Sequence, residues 1–190
     1  MTQPYYDFCV AAGKPSSRDA TGGGQHWAES ALYTCRLDAD GSDIRIVSSV
    51  ELPATPPGYL ALTQTRSGAP ILYATSGEEL MWFSIGNKNQ LTLRGSATTG
   101  SGGAAHLCTD NGARCLFTAN YGSGTVSLLP IAEDGALGEA KVYAHGPGAH
   151  AGAEGRWGDG PQFRQESAHP HGVVVCGEQL YVADLGTNQV

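Results

Sequence analysis

Charge is scarce in this chain of 190 residues. Asp, Glu, Lys and Arg make up 15% of it, with 11 basic residues against 18 acidic ones. A net charge of −7 argues against nucleic acid or an anionic membrane as the main partner. A local basic site can still hold a small anion. No apolar run approaches the roughly 20 residues that span a bilayer. The opening stretch MTQPYYDFCVAAGKP has neither a basic n-region nor a long apolar h-region, so no secretory signal is expected. The five cysteines (Cys9, Cys35, Cys108, Cys115, Cys176) are an odd number and show no CxxC spacing. They read as buried, reduced thiols of a cytoplasmic protein. Cys108 and Cys115 flank one expected hairpin, and a disulfide between them is the alternative. No segment keeps a helical apolar period, so no helix of consequence is expected.

What the chain does have is glycine, 27 residues of it, and a repeat. ALYTCRLDADGSDIRIVSS, ILYATSGEELMWFSIGNKNQLTLRGSA, CLFTANYGSGTVSLLPIAEDGALGEAKVYA and QLYVADLGTNQV resemble one another. Leu72, Leu116 and Leu180 are equivalent positions. Short apolar runs, GYLALT and AHLCT, precede the second and third segments. Within TVSLLPI, Val126, Leu128 and Pro130 share one face. Asn111-Gly112 is placed where a hairpin needs positive φ, and Asp-Gly pairs mark the outer turns of LDADGSDI and AEDGAL.

Four antiparallel strands per unit of about 40 residues is the pattern of a β-propeller blade. The expectation is an all-β chain of about thirteen strands, an incomplete ring of about three to four blades. The boundaries read as 1–52, 53–98, 99–144 and 167–190, with a Gly/His-rich insertion at 145–166. The first blade lacks its innermost strand. An open ring exposes an apolar sheet face, so self-association through that edge is expected.

The insertion, AHGPGAHAGAEGRWGDGPQFRQESAHPHG, gathers His145, His150, Arg156, Trp157, Arg164, Glu166, His169 and His171. Long loops inside compact repeats commonly carry function. Pro170 disfavours helical backbone at His169, and in an extended chain His169 and His171 project from one face. They open a blade's first strand, which lines the axis of a propeller. An imidazole can act there as acid or base at neutral pH. Arg156 and Arg164 offer forked donors for a phosphate or carboxylate. His106 opens the preceding blade in the equivalent place. It points at the channel or makes a structural hydrogen bond. An H-x-H pair can hold a metal, but no third ligand stands at a telling spacing, so no metal or other cofactor is expected.

GDGPQFRQESAHPHGVVV followed by LYVADLGTNQV resembles the lactonase family of seven-bladed propellers. That family includes 6-phosphogluconolactonases and carboxymuconate-cyclising enzymes. The resemblance rests on Arg164-Gln165, the pair His169 and His171, Asp184-Leu185-Gly186, and Ala119-Asn120-Tyr121 in the preceding blade. It covers the chain from about Gly58 onward. The family often reads Pro-His-x-His-Ser. Here the proline lies between the histidines in Ala168-His169-Pro170-His171-Gly172, and glycine replaces the serine. The family also implies a further acidic residue and another arginine, which no residue here can be assigned to.

The resemblance implies a metal-independent hydrolase opening a sugar-acid lactone or its phosphate in the cytoplasm. His169 or His171 is the expected base, and Arg164 the ligand of the phosphate or the oxyanion. Asn120, His106 and Arg156 are expected substrate contacts, Asn120 orienting substrate directly or from behind. Two alternatives stand beside this. One is a cyclase that forms a lactone from a carboxymuconate-like dicarboxylate. The other is a non-catalytic propeller that binds a protein partner.

Overall fold

The computed structural model describes residues 5–18, 25–52, 55–144, 146–147 and 165–190. Among these residues, thirteen strands form four separate antiparallel sheets. The first sheet, in the order β1–β2–β3, uses β1 (Tyr5–Arg18), β2 (Gln25–Asp38) and β3 (Ile44–Glu51). The second holds β4 (Leu60–Gln64), β5 (Pro70–Ser76), β6 (Glu79–Ile85) and β7 (Leu91–Thr98). The third holds β8 (Ala104–Thr109), β9 (Cys115–Asn120), β10 (Thr125–Pro130) and β11 (Lys141–Ala144). The fourth pairs β12 (Pro170–Cys176) with β13 (Gln179–Asp184). The fold is an incomplete β-propeller ring. Among the described residues no helix is long and apolar enough to cross a membrane.

Inner and outer strands follow from what each touches. β4 meets β8 and β8 meets β12, so these three line the axis, whereas β3 meets β7 on the outside. β3 therefore stands in the place of β7, and β2 in that of β6. The alignment of ALYT with ILYA is thereby corrected: ALYT matches the third strand of the next sheet. Every strand of a blade carries the same short apolar alternation, so the repeat can be slid by one strand without penalty to the pattern.

Strand alternation here serves two interfaces rather than one. In β5, Leu72 and Ala74 pack with Leu32, Leu52, Met81, Phe83 and Leu91 toward the first sheet. Ile71 and Tyr73 pack with Leu80, Leu107, Leu116, Leu129 and Ile131 toward the third. A strand buried on both faces has no polar side, and six of the seven residues of β5 are buried. Each Leu or Ile so enclosed contributes about 1.5–3 kcal/mol. In β10 the expected face of Val126, Leu128 and Pro130 is only partly the buried one. Ser127 and Leu129 on the opposite side are both fully enclosed, while Pro130 is exposed.

Polar clasps supplement these clusters. Arg36 donates to both carboxylate oxygens of Asp7, at 2.7 and 2.8 Å, and lies over the Tyr5 ring. Asn89, from the loop of the second sheet, donates to the same carboxylate, and its carbonyl accepts from Thr34 Oγ1 at 3.1 Å. The Arg36 hydrogen bond holds the Asp7 carboxyl below its usual range. The Tyr73 hydroxyl crosses to the third sheet and donates to the Gly135 carbonyl at 2.8 Å. Burial first, and Asp134 second, push this phenol up to about 12.

The Asp-Gly turns form as expected, with Gly41 at φ 74° and Gly135 at φ 93°. The turn at Asn111-Gly112 does not: Ala113 is the left-handed residue there, at φ 48°. Asp110 explains the difference. Its Oδ1 accepts from the Arg114 and Cys115 amides, so a side chain closes the turn. All five cysteines are free thiols, which removes the disulfide alternative. Large apolar side chains are exposed at both ends of the arc, with Ile44 at 61% and Ile46 at 63%, and Val174 at 57%.

Candidate active site

The fourth sheet docks on the third through a small apolar cluster of Ala119, Val126 and Val173. The Ser167–Pro170 segment is itself fastened to the fourth sheet by polar contacts. The Asp184 carboxylate Oδ1 accepts from the His169 amide and from the Thr187 amide, both at 2.9 Å. Gln165 Nε2 donates to the Leu185 carbonyl at 3.2 Å. Gly186 is required for this approach, because a Cβ there would run into the Ser167 carbonyl. Asp184-Leu185-Gly186 thus forms the seat that holds the histidine segment.

His169 is 9% exposed, and both its ring nitrogens are engaged. Nδ1 lies 2.9 Å from the Tyr121 carbonyl, which only accepts, so Nδ1 carries a proton. Nε2 lies 3.0 Å from Glu166 Oε1 and 3.2 Å from Ser167 Oγ. Glu166's own backbone amide, and then His169, hold its carboxyl below the usual range. His169 ties its own segment to the third sheet, which leaves it poorly placed to take a proton from water.

His171 is arranged differently. β12 is irregular between Pro170 and Gly172, so His171 is left out of the ladder as a bulge. The expected alignment of the two histidines on one extended face is therefore replaced by convergence on one ring. Tyr121 stacks on His169 with centroids 4.6 Å apart and meets His171 edge-on at 5.6 Å. The His171 side chain is exposed, and no hydrogen bond ties its ring among the described residues.

His106, in β8, faces the same region from the neighbouring sheet. Its ring lies 4.0 Å from that of Tyr59, and its Nδ1 accepts from the Val173 amide at 3.4 Å. Burial first, and the nearby His171 second, lower its pKa from the ordinary value. His106, Tyr59, Gly172, Val173 and Tyr181 line an open axial groove of about 670 Å³. Among the described residues lining it, none is cationic.

Asn120 is enclosed completely. Its amide donates to Thr125 Oγ1 at 3.0 Å and Ser127 Oγ at 2.7 Å, and its carbonyl oxygen accepts from Thr118 at 2.9 Å. Ser127 passes the chain on to the Thr99 carbonyl at 2.7 Å. Of the two roles expected of Asn120, its enclosure fits the one from behind, as an internal brace beside Tyr121. Arg164, Arg156, His145 and His150 lie outside the described residues. Tyr59 was not singled out from the sequence, and Tyr121 entered only as part of the Ala119-Asn120-Tyr121 motif, without a role of its own. The available signal was that Tyr59 and His106 begin adjacent axial strands. No group of three potential metal ligands occurs among the described residues.

These features define a propeller whose candidate site sits where its axial strands begin. The chain belongs to the lactonase family of seven-bladed β-propellers, whose profile matches residues 20–190. A 6-phosphogluconolactonase of Bacillus subtilis is 32% identical over 106 residues, covering 55% of this chain and 28% of that protein. A 6-phosphogluconolactonase of Pectobacterium atrosepticum is 42% identical over 110 residues, covering 57% and 31% respectively. A solved structure described as a candidate 6-phosphogluconolactonase from Bacteroides fragilis superposes with a TM-score of 0.67 at 25% identity. That match covers 95% of this chain and 46% of the other. The chain spans less than half the length of each of these proteins.

Proposed function

We propose that the protein is a lactone hydrolase of the 6-phosphogluconolactonase type, opening a sugar-acid lactone in cytoplasmic carbohydrate metabolism. The observation that carries this reading is the division among the histidines. His169 is engaged at both ring nitrogens, whereas His171 stands exposed beside the axial groove and, among the described residues, its ring is held by Tyr121 alone. His171 is the general base: it takes a proton from water as the oxygen attacks the lactone carbonyl. Collapse of the tetrahedral intermediate breaks the ring C–O bond, and the proton returns from His171 to the departing ring oxygen. Water and lactone together supply every atom of the hydroxy acid. Arg164 is the proposed ligand of the substrate phosphate, carried over from the sequence resemblance, and Arg156 is a second contact by virtue of its forked donors, with a stack on Trp157 as its alternative role.

The test uses the full-length protein with 6-phosphoglucono-δ-lactone, corrected for spontaneous opening. His171→Ala is expected to lower kcat by about 100- to 10,000-fold. Arg164→Ala is expected mainly to raise KM. An unchanged rate in His171→Ala sinks the assignment. Turnover of a carboxymuconate-like dicarboxylate in place of the lactone assigns the cyclase reaction instead.

A further inference from the structure

His106 poses a separate question. A histidine at the inner end of an axial strand can act as a base, as a cation, or as a neutral hydrogen-bond donor. Its surroundings choose among the three. Val173 sits on β12, whose partner β13 covers one edge only, and its amide donates to His106 Nδ1 at 3.4 Å. A backbone amide has a proton to give and none to lose. Nδ1 is therefore the acceptor, and the ring's proton belongs on Nε2. Among the described residues, the groups facing the ring from the adjacent strands are Tyr59, His171 and the Val173 amide. No carboxylate among them stabilises an imidazolium, and enclosure together with the neighbouring His171 disfavours the charged ring.

We propose that His106 presents a neutral Nε2–H to the axial groove, where it donates to the carbonyl oxygen of the bound substrate as that oxygen becomes an oxyanion. This rests on the lactone-opening reading and deepens it by giving the two axial histidines opposite duties. His171 accepts the proton of water, and His106 supplies a hydrogen bond without surrendering its own proton. Substrates are thereby restricted to those whose reacting carbon carries an oxygen able to accept from a neutral donor, such as a lactone or an activated ester. The Val173 amide sets this polarity, so the fourth sheet configures a donor borne by the third.

A purely structural reading is that His106 merely caps an exposed strand amide. Two substitutions separate the readings. His106→Asn keeps an acceptor near the position of Nδ1 and loses the distal donor. His106→Gln keeps a donor near the position of Nε2. The expected result in the full-length protein is that His106→Gln stays within about tenfold of wild-type kcat. His106→Asn should lose about 100- to 1,000-fold in kcat with little change in KM, as removal of an oxyanion donor does. Asparagine keeping the rate, or glutamine falling as far as asparagine, overturns the proposal. Ring ¹⁵N shifts of His106 give a substrate-free readout, with an Nε2–H tautomer expected at pH 7. An Nδ1–H tautomer or a charged ring overturns the proposal whatever the substrate. If the wild-type protein opens no lactone, the lactonase reading fails while the tautomer assignment stands or falls on these shifts.

Discussion

The seam between the second and third sheets and the seam between the third and fourth are built from different materials. The first encloses seven buried apolar residues, from Ile71 to Ile131. The second encloses three, Ala119, Val126 and Val173, rimmed by the partly buried Cys108, Phe117, Leu180 and Val182, and adds hydrogen bonds from His169 to the Tyr121 carbonyl and from the Val173 amide to His106. Apolar packing is non-directional and tolerates small slides, whereas hydrogen bonds fix orientation. The candidate site lies on the second kind of seam. His106 lines the axial groove, and His171 stands next to Gly172, which lines it too.

The contrast can be broken from either side. Leu116 is fully enclosed in the apolar seam, and Leu116→Ala should cost about 3 kcal/mol of unfolding free energy by urea titration. The molecules that remain folded should keep their kcat. Asp184→Ala removes the acceptor of two backbone amides and should cost about 2 kcal/mol. Here kcat should fall as well, because His171 follows directly on the segment that Asp184 holds. Equal loss of kcat in both variants, measured on fully folded protein, would abolish the distinction. The smallest effect is expected at the first clasp, where Asp7 meets Arg36. The Asp7 carboxyl titrates lower when folded than when unfolded. Its contribution is thus complete above the unfolded value near 3.9 and disappears as pH falls through the folded one. Asp7→Asn should therefore lower Tm slightly at neutral pH and make no difference in strong acid.

The blade pattern could be read from sequence because glycine turns and apolar alternation are local. Gly41 and Gly135 adopt the backbone their Asp-Gly pairs call for. Ala113 could not be foreseen, since the determinant is the Asp110 side chain closing its own turn. The first sheet was read one strand out of place because all its strands carry equivalent patterns. His169 and His171 were recognised as a pair, yet their different surroundings depend on the bulge at Pro170–Gly172 and on the Tyr121 carbonyl. Neither leaves a mark in local composition. Asn120 illustrates the same limit. Nothing in Ala-Asn-Tyr distinguishes a side chain reaching for substrate from one enclosed by Thr118, Thr125 and Ser127.

The hydrogen bond between His169 and the Tyr121 carbonyl joins residues 48 positions apart. Hairpin bonds such as Gly124 to Asn120 close within a few residues. Loops that short close first and at small entropic cost, so each sheet has the means to assemble before it meets its neighbour. The ring pair of Tyr121 and His171 comes into being only on docking. Loosening this one seam would part His169 and His171 from Tyr121 while leaving every strand in place.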